Sequence, residues 1–136
     1  MFDEVLIPPA VAAELTAISS RVPPVDLGTL PRTRVVAPRD LGTVSRLQSR
    51  LGSGESEAIA LAVEAAPAAL LIDEAAGRRI AIEYGLTVLG LLGLIIQAKG
   101  ARHVAAARPL IRRLVDELNF SIDPRLVDRA LRDIGE

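Results

Sequence analysis

Cysteine is absent from this chain of 136 residues, which removes disulfides, thiolate catalysis and cysteine-held zinc. Histidine occurs once, as His103, so a multi-histidine metal site is excluded and a Ser/His triad is improbable. Aromatics are confined to Phe2, Tyr84 and Phe120, leaving little for base stacking to use. Lysine occurs only as Lys99, and 16 basic residues face 17 acidic ones, so no basic stripe marks a nucleic-acid surface. The longest apolar run, residues 86–96, is far shorter than the roughly 18 residues a membrane span needs. The opening MFDEVLIPP lacks a basic region followed by a long apolar stretch, so it is not a secretory signal. The expectation is a cytoplasmic protein with no membrane partner, whose acid–base or metal chemistry falls to carboxylates.

Half of the residues are hydrophobic, enough for one domain, residues 1–136, with a real core. Residues 4–7 (EVLI) read as a short strand ended by Pro8 and Pro9. Proline favours a first helical position, so a helix is expected from residue 9 to about 18, with Val11, Leu15 and Ile18 as its stripe. Residues 21–30 hold Pro and Gly and read as a loop, and residues 33–37 as a strand. A weak helix follows over 41–50, then a turn over 51–54. The alanine-rich stretch 55–66 is a helix with Ser53 available as its cap and Ile59, Ala62, Val63 and Ala66 as its apolar face. Glu57 and Glu64, seven apart, point to the other side.

The continuous apolar run 69–72 (ALLI) is the signature of a strand covered on both faces. A helix over 75–84 closes at Gly85, a strand follows over 87–91, and a helix over 92–99 closes at Gly100. Residues 102–119 read as helical with a break or fresh start at Pro109, and Arg108, Arg112 and Arg113 read as a solvated surface. Asp123 and Pro124 cap and open a last helix to about residue 134. Alternation of strands and helices predicts an α/β fold: three layers, with a parallel sheet of about four short strands between helices.

Three acids stand out. Glu14 lies three after Val11 and four before Ile18, so it points with the apolar stripe. It is either paired or cation-bound there, or a stripe-edge Glu reaching water. Glu55 lies four before Ile59 and projects on the same inward face, where the helix dipole alone would also favour an acid. Asp73 ends the 69–72 strand and is also placed to cap the next helix, beside Glu74. Clustered carboxylates repel unless a cation neutralises them, and hard oxygen ligands suit Mg²⁺ or Mn²⁺. The bland alternative, caps and surface charges, remains open at this point.

Four blocks, EVLIPPAVAAEL, LGSGESEAIALA, LLIDEAAGRRIA and TVLGLLGLIIQAKG, resemble successive parts of the PIN-like family, in a prokaryotic branch known as a domain of unknown function. The tail from Pro109 resembles that branch's C-terminal helices, so the resemblance covers nearly the whole chain. It implies a parallel sheet between helices and, as in many members, a Mg²⁺- or Mn²⁺-dependent ribonuclease, a group that includes the toxins of toxin–antitoxin pairs. It implies Glu14, Glu55 and Asp73 as catalytic metal ligands, with Glu74 beside them. Arg78 matches a basic, substrate-contacting position after the acid pair, and Gly77 replaces a more usual alanine. Implied partners are RNA, an antitoxin-like protein and further copies of the chain as a homodimer or higher oligomer. Family members also begin with a strand, central in the sheet and ending in a ligand aspartate, that this sequence does not show. A protein truly without it would be a weak or dead nuclease, and its unpaired strand edges would favour association with another chain.

Overall fold

The computed structural model describes residues 1–18 and 23–136, so the loop read over 21–30 begins on two residues that lie outside the described ones. The chain divides into two compact units, Phe2–Val88 and Leu89–Glu136 with Met1. Within the first, β1 (Val5–Ile7) pairs in parallel with β2 (Thr33–Val35) in the register Val5–Thr33, Leu6–Arg34, Ile7–Val35. Arg34 pairs with Glu4 at the start of this ladder, and that hydrogen bond holds the Glu4 carboxyl below its ordinary range. A second pair joins β3 (Leu70–Leu71) to β4 (Val88–Leu89), with Leu70 N donating to Thr87 O at 2.8 Å. The α/β class with parallel strands is as expected, and the four short strands among the described residues are hydrogen-bonded two by two.

Between the strands run α1 (Pro9–Thr16), α2 (Leu41–Gln48), α3 (Ser53–Ala65) and α4 (Ala75–Glu83). Proline at the start of α1 fits a position whose N–H has no intrahelical partner. The helix stops at Thr16, whose hydroxyl bonds back to Ala12 O, and Ile18 is 93% exposed, so it is not part of the stripe. Asp40 caps α2: its carboxylate accepts from Thr43 N at 3.0 Å and Thr43 Oγ1 at 2.7 Å, which holds its pKa down.

The core of this unit lies around α3. Ile59, Ala60 and Ala62 pack with Val44 and Leu47 of α2, Leu70 and Ile72, and Ile80 and Ala81 of α4. The strand at 69–72 is not covered on both faces: Leu70 and Ile72 are buried, whereas Leu71 is 53% exposed. Period-two alternation has won over the continuous apolar run. Pro67 follows Ala66, which ends α3 with φ of 46°, a left-handed cap.

The second unit holds α5 (Leu91–Gly100), α6 (Arg108–Asp116) and α7 (Pro124–Asp133). Ile95, Ala107, Ile111 and Leu131 form its core. Pro109 sits in the first turn of α6, so it starts a helix and does not interrupt one. Asp123 caps α7 from Arg125 N at 2.9 Å, as its sequence position indicates.

Glu136 organises this unit in a way sequence spacing does not reveal. Its carboxylate accepts from Ala107 N at 2.9 Å and Arg108 N at 3.0 Å, closing the start of α6. Arg108 donates to the Glu136 carbonyl, so it is not a purely solvated residue. The two backbone bonds, with Lys99 nearby at 3.7 Å, hold the Glu136 carboxyl below its usual value of 4.5. A folded-state pKa below the unfolded one means the stabilisation is complete above about pH 4.5 and is lost as pH falls through the folded value. Glu136→Gln should therefore lower the melting temperature at pH 7 and flatten its acid dependence, measured by circular dichroism from pH 7 to 3.

Candidate active site

α1 and α3 come together where α3 has no side chain. A Cβ on Gly54 would lie 3.1 Å from Glu14 Oε1, 3.4 Å from Glu14 Oε2 and 3.3 Å from Val11 Cγ2. Val11 and Glu14, three apart on a helix, share a face, and both reach this glycine. Glu14 thus points with Val11, as its spacing indicates, but it does so at an exposed edge.

Glu55 stands at the third position of α3. It reaches back to Gly52 N at 3.3 Å, the returning half of a capping box, because the cap is Gly52 and not Ser53. Its other oxygen lies against α4: a Cβ on Gly77 would sit 3.1 Å from Glu55 Oε1 and 2.6 Å from Ile72 Cδ1. Gly77 N donates to Glu74 Oε2 at 3.0 Å, and Ala76 N to the same oxygen at 2.7 Å. Glu74, not Asp73, is therefore the side-chain cap of α4. Asp73 directly precedes it, exposed, in the turn from β3 into α4.

The carboxylates of Glu55 and Glu74 meet at one glycine, and that of Glu14 lies against the residue before Glu55. Arg78 Nη1 donates to Ile72 O at 2.9 Å, tying α4 to the end of β3 with one of the five guanidinium N–H groups. Among the described residues, no three His, Cys, Asp or Glu side chains form a group that could hold a metal ion. A cavity of about 500 Å³ in the same unit, lined by Leu6, Val36, Leu61 and Ala65 among others, includes none of these acids.

Two glycines and two glutamates carry roles that their sequence positions do not disclose. Gly54 lies in what reads as a turn, and Gly77 stands in a helix where alanine would propagate better; both are places where another side chain must approach closely. Glu57 accepts from Ala10 N at 2.8 Å, and Glu64 from Arg39 N and Asp40 N, both at 2.8 Å. Neither acid is an idle outward charge. The seven-residue spacing correctly put them on one face, but that face meets other backbone.

Beside Glu55, Ser56 is fully buried and its hydroxyl has no hydrogen-bond partner. An unsatisfied buried hydroxyl costs about 1–3 kcal/mol, and alanine is the better helix former by a few tenths. Ser56→Ala should raise stability by roughly 1 kcal/mol in urea unfolding; a loss would show that the hydroxyl is satisfied in solution.

Strands alternate with helices and β1 pairs in parallel with β2, the pattern of an α/β domain. The family model described as a PIN domain, DUF3368, matches residues 1–136, and the chain belongs to that family. No curated protein and no solved structure matches the chain. Among the described residues, no helix is long and apolar enough to cross a membrane.

Proposed function

We propose that this chain is a Mg²⁺- or Mn²⁺-dependent endoribonuclease of PIN type that hydrolyses RNA phosphodiesters, and the toxin of a toxin–antitoxin pair with an antitoxin-like protein as its partner. The observation that carries the reading is the pair of glycine cradles, which bring Glu14 to Gly54 and Glu55 to Gly77. The donor set is all carboxylate oxygen, which fits a hard divalent cation, and a Cβ at either glycine would press on a donor. Glu14, Glu55 and Asp73 would hold the ion, with Glu74 contributing through the oxygen that does not cap α4. Clustered carboxylates of this kind repel one another, and a divalent cation would offset that repulsion. When bound, the ion lowers the pKa of a water and neutralises charge on the phosphate. Arg78, anchored to Ile72 O, orients a phosphate through its remaining donors.

The test is cleavage of a mixed-sequence RNA with Mn²⁺ and with EDTA, beside calorimetric Mn²⁺ titration of the wild type and Asp73→Asn. Cleavage lost in EDTA and weaker binding by the variant are expected. No metal-dependent cleavage at high protein concentration, or unchanged titration heats, overturns the reading. A second reading is a catalytically weak module that associates through its short strands, favoured by the exposure of Val5 (47%), Val35 (51%) and Leu71 (53%). It calls for a homodimer or higher oligomer in sedimentation and no cleavage.

A further inference from the structure

Glu57 is one of the two acids of α3, with Glu64, that the proposed reaction does not use. Its Oε2 accepts from Ala10 N at 2.8 Å, across 47 residues of sequence. Ala10 offers the first amide of α1, because Pro8 and Pro9 have no N–H, and Pro8 supplies no side-chain cap. The positive end of α1 is thus closed by a carboxylate from α3.

The geometry of the two helices gives this bond a second effect. Ala10 and Glu14 are one turn apart on α1, and Gly54 and Glu57 are three apart on α3, so each pair lies on one face. Glu57 meets Ala10 while Gly54 meets Glu14. The contacts run in opposite directions, as two pins that fix how far α1 is slid along α3. A slide by one residue would carry Glu14 about 1.5 Å along the axis and turn it away from Gly54. We propose that Glu57 is a positioning residue: its bond to Ala10 N sets the register of α1 on α3 and so holds the Glu14 carboxylate beside Gly54. For metal affinity this rests on the reading above; for the placement of Glu14 it does not.

Three variants test it: Glu57→Ala, which removes the acceptor, Glu57→Gln, which keeps one, and Glu57→Asp, which keeps the charge one methylene short. The first readout needs no metal. Glu14→Gln should shift the Gly54 amide resonance in the wild-type and Glu57→Gln backgrounds and leave it unmoved in Glu57→Ala. Ala10 amide exchange should quicken in Glu57→Ala alone of those two. The second readout is Mn²⁺ affinity by calorimetry, expected to fall about 10–100-fold in Glu57→Ala and to recover in Glu57→Gln. If Glu57→Ala does not fold, Glu57→Asp takes its place with the same expected losses. A Gly54 response that survives in Glu57→Ala, with only the melting temperature lowered, overturns the proposal. A wild type that binds no Mn²⁺ overturns the nuclease reading, and the Gly54 response then still decides the role of Glu57.

Discussion

Ile59→Ala is expected to cost about 2–5 kcal/mol, the range for truncating a fully buried isoleucine. Ile59 is 0% exposed and packs where α2, α4 and β3 all meet α3. The loss has two parts. One is the transfer free energy of the missing carbons; the other is the cavity that the surrounding side chains fail to fill. Collapse is hard here, because the neighbours Val44, Leu47, Ile72 and Ile80 belong to three separate segments whose positions are set by their own contacts. Against a typical domain stability of about 5–15 kcal/mol, such a loss removes a large share of the folded population's margin. Thermal unfolding should fall by about 10 °C or more, at roughly 4–8 °C per kcal/mol for a unit of this size. A change of less than about 1 kcal/mol would show that α3 is not the centre of the core.

Gly77→Ala should act on stability and site together. In an open helix interior the change favours folding by about 1 kcal/mol, since glycine loses more backbone freedom. Here the new methyl would meet Ile72 Cδ1 at 2.6 Å and Glu55 Oε1 at 3.1 Å. Ile72 Cδ1 is a chain end and can turn, but the residue is buried in the packed cluster and its Cγ1 is only 3.4 Å away. Overpacking of this kind costs about 1–3 kcal/mol, more than propensity returns. The carboxylate would also be displaced, so Mn²⁺ affinity should drop beyond what the stability loss explains. Gly54→Ala is the internal comparison: its methyl would press on Glu14 Oε1 at 3.1 Å and Val11 Cγ2 at 3.3 Å, both side-chain ends. It should weaken Mn²⁺ binding with a smaller loss of stability, read by calorimetry and urea unfolding. A Gly77→Ala protein that is more stable and binds as before would remove both the tight packing and the cradle from the account.

Much of this was legible in residue order, and the misses share a cause. The strand read over 4–7 and seen over 5–7, the proline-opened α1, the Asp123–Pro124 start of α7 and the strand–helix alternation rest on local rules, and they hold. The sequence position of Asp73 suits a cap, yet its neighbour Glu74 fills that role, because capping depends on which side chain the chain leaving β3 aims at Ala76 N and Gly77 N. Arg108 looked solvated among charges, and Glu136, 28 residues on, folds back to it. Gly77 read as a mere replacement for alanine, since nothing in its own segment shows that Glu55 leans on it.

Residue order alone was enough for the class of fold and for the lack of cysteine and of a second histidine, because periodicity and caps act over a few residues and composition needs no fold. Which backbone each acid approaches was settled in three dimensions. Glu14 reaches Gly54 across 40 residues and Glu55 reaches Gly77 across 22, through helices whose mutual register no local pattern encodes. The close approach of a distant side chain to a backbone that lacks one is a property of packing, which no single segment of the sequence contains.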